Sequence, residues 1–359
     1  MMKPSLQMSA RVCFMFSSSL IFFGCGSAEN NDPLQTLSSK PSVQVQADDL
    51  LPLPNRRMGG EYTQATDLYG AGVIMEGNWF VDTKVGAWSA SWYPISDDSL
   101  FKDPSSTLRK YDLYISKAKG TSTHAAEFEE KKIYQPSAES WAGRCHAWAL
   151  ASVMEPEPVL KRPVTLNDVT FGTADLKALL ILTYDNVRKL TQFGQRFDGD
   201  ENAIPEDIYP DQFHRVLQVE LFGKKRPIIM DKDMGREVWN TPVHKAEITI
   251  VKDIENHHMM HVKAALVGSS PLDPSSKHEG PAKKNVIYEY TYDLYGYSQL
   301  DGSLKVMYGV WTGDSIRNHP DFLWALPDQK DRESGNPDIN VQWVDELIKK
   351  ATTLEVEHL

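Results

Sequence analysis

Four stretches in the second half of the chain alternate apolar and polar residues: AEITIV, MHVKAALVG, VIYEYTYDLYGYS and SLKVMYGVW. In the third, tyrosines at 288, 290 and 292 alternate with Glu289, Thr291 and Asp293. Successive strand residues point to opposite faces, so the pattern predicts half-buried strands of an antiparallel meander. RPIIMD, just before them, predicts a further short strand. Helical spacing governs other segments. ADLKALLILTYDNVRKLTQFG places Leu176, Leu179, Leu180, Tyr184, Val187 and Leu190 on one face, with Gly194 as the stop. NVQWVDELIKKATTLE predicts a closing amphipathic helix with Trp343, Leu347, Ile348 and Ala351 inward. SWAGRCHAWALAS, residues 140–152, predicts a helix with Ser140 as its N-cap, ending before Pro156 and Pro158. PDQFHRVLQVELFG fits either element, because Phe213, Val216, Leu217 and Leu221 share a helix face while its Val-rich centre suits a strand. The aromatic stretch GVIMEGNWFVDTKVGAWSASWYPIS, poor in helix formers, predicts strand and loop. The sum is an α+β fold.

The first two dozen residues follow a different logic. MMKPSLQMSARV carries Lys3 and Arg11 and no acid, and an apolar run CFMFSSSLIFF follows, closed by GCGSAENNDP. A basic start, a short apolar core and small residues at its end describe an export signal over 1–24, too short to span as a helix. Gly24-Cys25 resembles a bacterial lipoprotein processing site, although Phe22 stands where leucine is usual; a plain signal peptide is the alternative. The Ser-, Asn-, Asp-, Gln- and Pro-rich residues 25–57 read as a flexible linker, and 58–359 as the body. The chain is therefore expected to be exported, as a lipoprotein of the bacterial outer membrane or cell surface, or otherwise periplasmic or secreted. Its formal net charge is −11, and loss of Lys3 and Arg11 with the leader takes the remainder to −13. Nucleic acid and anionic lipid both need a basic face, so neither is an expected partner. Membrane contact is expected only through a lipid at Cys25, and the body as a monomer.

Cysteine count sharpens the chemistry. Only Cys13, Cys25 and Cys145 exist, so Cys145 is the one free thiol expected in the exported body, with no disulfide partner. It is either an inert buried cysteine or a nucleophile. A helix beginning near Ala142 or Gly143 would put it in the first turn, where unpaired N–H groups favour a thiolate and can hold a developing oxyanion. Gly143 would leave room for a substrate backbone, and Arg144 adds a positive neighbour. His146 faces about 100° away on a helix, so a base should come from a distant segment. His214, with Asp231 ending the next strand as its orienter, is the preferred pair; His319, near Asp314 and Asp321, is the runner-up. His257, His258 and His261 match no zinc spacing and read as a solvated turn. Asp198, Asp200, Glu201, Glu206 and Asp207 lack the pattern of a calcium loop. The residues themselves call for no cofactor and no metal site.

SWAGRCHAWALASVMEPEPVLKRPVTLNDVTFGTADLKALL, followed by EVWNTPVHKAEI, resembles the transglutaminase elicitor family. VWNTPV, residues 238–243, matches the start of a peptide of that family, and HPDFLW, residues 319–324, is similar to it too. The resemblance spans residues 60 to 327. It implies a cysteine-acyltransferase-like core, with a nucleophile-bearing helix packed on an antiparallel sheet. The implied activity is a protein-glutamine γ-glutamyltransferase with Cys145 as nucleophile, and glutamine- and amine-bearing proteins as partners. Related transglutaminases often use calcium, so Ca2+ enters as an expectation of the resemblance alone. Trp141, Trp148 and Trp239 are candidates to wall the acyl site. A thiol deamidase or protease using the same residues, and a non-catalytic surface-binding lipoprotein, are the alternatives.

Overall fold

The computed structural model describes residues 64–187, 189–196, 207–232, 234–274 and 280–357. The export signal, the linker and the first residues of the body lie outside them, as do Asp198, Asp200, Glu201 and Glu206. A short helix α1 (Ala65–Tyr69) leads into strands β1 (Val73–Ile74) and β2 (Gly77–Asp82). Helices α2 (Thr107–Lys119), α3 (Ala125–Phe128) and α4 (Cys145–Met154) precede a small hairpin, β3 (Val164–Leu166) and β4 (Val169–Phe171). Then come α5 (Thr173–Leu182), β5 (Thr191–Gly194), α6 (Pro210–Val216) and β6 (Ile228–Asp231). The meander is β7 (Asn240–Lys252), β8 (Met259–Ser269), β9 (Asn285–Ser298) and β10 (Leu304–Trp311), followed by β11 (Phe322–Ala325) and α7 (Val341–Glu357).

The sheet is antiparallel throughout, in the order β1-β10-β9-β8-β7-β6-β11-β5, with β2 also paired to β7. The expected α+β class holds. Tyr290, Tyr292 and Leu294 point into a core cluster, while Glu289, Thr291 and Asp293 point out, as alternation requires. Phe213 of α6 seats its ring against Tyr290, Tyr292 and Trp311 at centroid distances of 5.5, 5.7 and 5.3 Å. Fully burying such a side chain contributes about 1.5–3 kcal/mol.

Strand β6 shows that the sheet is covered on both faces. Ile228 and Met230 join the cluster containing Phe213 and Val216 of α6, whereas Ile229 joins the one containing Trp148 and Ala149 of α4. Neighbouring strand residues face opposite ways, so α6 and α4 lie on opposite sides of the sheet. An extra residue, His244, interrupts the pairing of β7 with β8 between Val243 and Lys245. A third cluster joins α2, α3, α5, the β3–β4 hairpin and α7, the last through Val344, Leu347 and Ala351. Asp175 ties it together by accepting from the Gly172 N–H at 2.9 Å and from Thr107 and Lys110 of α2 at 2.8 and 2.6 Å.

One expectation changes and one open alternative is resolved. The long helix predicted to Gly194 ends at Leu182, and Thr191–Gly194 is instead strand β5, paired to β11. Leu190 therefore leaves the helical face. PDQFHRVLQVELFG is helical from Pro210, with Leu217–Gly223 continuing α6 as a π-turn.

Candidate active site

Helix α4 starts later than expected. Cys145 is its first residue and Arg144 takes the N-cap position, without a side-chain cap bond. What sets that start is a crossing of the chain over itself. The Arg144 N–H donates to Trp92 O at 2.6 Å, the Ile95 N–H to Ala142 O at 2.9 Å, and Gly143 bridges to Pro94. A Cβ on Gly143 would sit 2.8 Å from Tyr93 O and 2.9 Å from Trp92 O. The space beside this glycine is thus filled by the protein's own backbone, not held open for a substrate.

The Cys145 thiol donates to Val238 O at 3.4 Å and accepts from the Asn240 side-chain N–H, also at 3.4 Å. Only 5% of the residue is exposed. Burial pushes the thiol's pKa up; the side-chain and backbone N–H groups of Asn240 oppose this, the Asp231 carboxylate adds to it, and the His146 N–H pulls back. On balance these surroundings favour the protonated thiol over the thiolate. Asp231 closes β6 directly opposite Asn240 in register, and its Oδ1 accepts the Trp239 N–H at 2.8 Å. Asp231 and Asn240 stand side by side on the α4 face. The Trp92 and Trp239 rings meet edge to face at 5.4 Å next to them.

Arg144 is turned away from the sulfur. Its guanidinium donates to both Glu129 oxygens at 2.7 and 3.0 Å and to Asp185 at 3.0 Å. Burial alone would lower its pKa; Asp185 and Glu129 more than offset that and raise it. His146 also turns to Asp185, with Nε2 3.1 Å from the backbone oxygen and 3.3 Å from the carboxylate.

The structure does not bring His214 to Cys145. Its Nδ1 is 2.8 Å from Tyr292 Oη, on the α6 side of the sheet, and burial, with Arg215, lowers its pKa to about 3. Ile248 and Ile250, which line a small cavity with His214, are eight and ten residues along β7 from Asn240, about 25–33 Å of strand. A buried neutral imidazole on the far face cannot take a proton from this sulfur, and Asp231 does not orient it. His319 is elsewhere as well, bonded to Ser315 O at 2.8 Å and Asp207 at 3.1 Å and stacked on Trp311. The carboxylate bonded to its ring is Asp207.

Of the candidate wall tryptophans, Trp239 flanks the site, Trp148 is fully buried core, and Trp141 packs on Arg196. His258 and His261 are engaged by Gly296 O and by Asp253 and Asp293. Among the described residues no group of three or more His, Cys, Asp or Glu is placed to hold a metal. Sequence reasoning missed Val238 and Asn240 as neighbours of the sulfur. Both lie inside VWNTPV, where neither residue type by itself signals chemistry at a thiol.

The fold is similar to that of a transglutaminase solved before. The crystal structure of the GP42 transglutaminase from Phytophthora sojae superposes with a TM-score of 0.61 at 21% identity, covering 81% of this chain and 97% of that one. That likeness concerns the fold. The family model of the transglutaminase elicitors matches residues 110–265, a span holding both Cys145 and VWNTPV. No curated protein matches the chain.

Proposed function

We propose that this protein is a protein-glutamine γ-glutamyltransferase acting through a thioester on Cys145. The observation that carries the reading is Cys145 itself: the first residue of α4, inside the segment matched by the family model, with Asn240 bonded to its sulfur and Asp231 paired across the strands with Asn240. The sulfur attacks the carboxamide carbon of a glutamine side chain. The C–N bond breaks, the thiol proton leaves with the nitrogen as ammonia, and a thioester remains. A lysine amine then attacks the thioester carbonyl, the C–S bond breaks, a proton returns to sulfur, and an isopeptide bond is formed. Asp231 takes the proton-carrying role that the sequence had suggested for His214. The first turn of α4 would offer backbone N–H groups to the developing oxyanion. The partners are a glutamine-bearing protein and an amine donor, met outside the cytoplasm by a protein tethered through Cys25.

The test is incorporation of a labelled primary amine into a glutamine-rich protein. Wild type is expected to incorporate it and Cys145→Ala to fail; equal behaviour of the two ends the proposal. Ammonia release without incorporation, or peptide cleavage, would assign the same thiol to a deamidase or protease.

One observation favours a second reading, a non-catalytic surface-binding protein. The thiol is buried, burial favours its protonated form, and among the described residues no imidazole is bonded to it. Under that reading Cys145 resists iodoacetamide at neutral pH, because only a reachable thiolate reacts.

A further inference from the structure

Asn240 is held in a way that a purely structural asparagine is not. It is 4% exposed, and its side-chain N–H is spent on the Cys145 sulfur at 3.4 Å. Its Oδ1 is buried without a hydrogen-bond partner among the described residues. Leaving a buried acceptor unpaired is costly, and most buried carboxamides satisfy both ends. Here the acceptor is forgone while the donor is aimed at sulfur. A thiol needs only an acceptor for its own proton, and Val238 O already provides one at 3.4 Å. A donor aimed at the sulfur is useful to the ionised form, since hydrogen bonds to a charged group are about twice as strong as neutral ones.

The charged groups around the sulfur leave this role open. Asp231, across from Asn240 on β6, disfavours the thiolate. Arg144, next in the chain, is engaged by Glu129 and Asp185, and His146 faces Asp185. No cation faces the sulfur from these elements.

We infer that Asn240 is the residue that holds the Cys145 thiolate in the reactive state, filling with a neutral N–H the place usually given to an imidazolium. This rests on Cys145 being the nucleophile of the proposed reaction. The carboxamide donates to the ionised sulfur and fixes its direction at the end of α4.

The experiment is the pH dependence of iodoacetamide alkylation of Cys145, read by mass spectrometry on the intact protein. Asn240→Asp keeps the shape and replaces the donor by an acceptor; Asn240→Leu keeps the volume without either. Both are expected to move the alkylation midpoint upward by about one pH unit or more, slowing reaction at fixed pH roughly tenfold. Asp231→Asn removes the nearby charge and is expected to move it downward. A misfolded variant would instead bring the thiol back to its ordinary range near 8.5 whichever residue was changed, so the opposite signs separate local electrostatics from unfolding. Profiles of folded Asn240→Asp and Asn240→Leu superimposable on wild type overturn the inference. Failure of amine incorporation alongside an Asn240-dependent profile sinks the transferase reading alone.

Discussion

Arg144→Met tests how the helix bearing Cys145 is held in place. The guanidinium is 3% exposed and sits between Glu129, 4% exposed, and Asp185, 13% exposed. It makes three contacts of 2.7 to 3.0 Å with them. Methionine keeps most of the apolar stem, so lost packing is small. What remains is a pair of buried carboxylates with no guanidinium between them. Breaking a buried pair by removing one partner costs about 3–5 kcal/mol. For a body of this size each kcal/mol is worth about 2 °C, so the thermal midpoint should fall by roughly 5–10 °C at pH 8.

The pH dependence has a definite sign. Burial holds Glu129 above its ordinary pKa while Arg144 pulls it back, so losing Arg144 raises it further. A carboxyl with a raised folded pKa binds its proton more tightly when folded. Its stabilising contribution is present at low pH and is lost as pH rises through the folded value. Asp185 behaves oppositely: burial pushes it up, His146 and Arg144 more than reverse this, and its contribution is lost as pH falls. In the variant the Glu129 term grows and the Asp185 term shrinks, and both changes narrow the gap to wild type in acid. Melting curves followed by circular dichroism at pH 5 and pH 8 decide the matter. A midpoint within about 1 °C of wild type at pH 8, or a gap unchanged between the two pH values, refutes the reasoning.

His214→Phe should leave alkylation of Cys145 and amine incorporation as they are, while removing part of the protein's sensitivity to acid. With a folded pKa of about 3, His214 favours the fold above its unfolded value near 6.5, and this is lost as pH falls from there toward 3. The variant's stability from urea titrations should therefore decline less steeply between pH 6 and 4, by about 1.4 kcal/mol per pH unit; equal slopes would count against it. His244, lowered to about 4 by burial and then by Lys283 and Lys245, adds to the same acid limb and remains in that variant. Gly143→Ala puts a methyl 2.8 Å from Tyr93 O, against backbone that cannot turn aside. A loss of about 1–3 kcal/mol is expected from the crossing, measurable as a lower melting midpoint, and an unchanged midpoint would show that the chain gives way there.

Much of the scaffold was legible because it depends on local periodicity. The alternating tyrosines of β9 and the inward stripe of α7 could be read without knowing what they pack against. The helix assigned to residues 174–194 was overrun for the same reason: Val187 and Leu190 keep the spacing. What ends that helix is non-local, the pairing of Thr191–Gly194 with β11, more than a hundred residues away in sequence. Helix α2 went unnoticed, since TLRKYDLYISKAK buries only Leu108, Tyr111, Tyr114 and Ile115 of its thirteen residues. At the candidate site, Cys145 stands out by its solitude, whereas Asp231, expected to orient His214, lies opposite Asn240 instead. His214 was misplaced because chain order does not say which face of a sheet a helix will cover. Asn240 carried no signal of its own; only the register of β6 with β7 makes it a neighbour of the sulfur.

The extra residue at His244 sets the phase of the whole arrangement. Beyond it, Ala246, Ile248 and Ile250 feed the α6-side core, while before it the odd-numbered Val243 does so. Were β7 regular, Asn240 would share the parity of Ala246 and look away from Cys145. Deleting one residue at that point, with the outer pairings kept, would rotate the front of the strand by half a turn and hand the sulfur a threonine and a tryptophan instead. A single backbone insertion thus acts as a keyway, deciding which side chains of VWNTPV the thiol can meet.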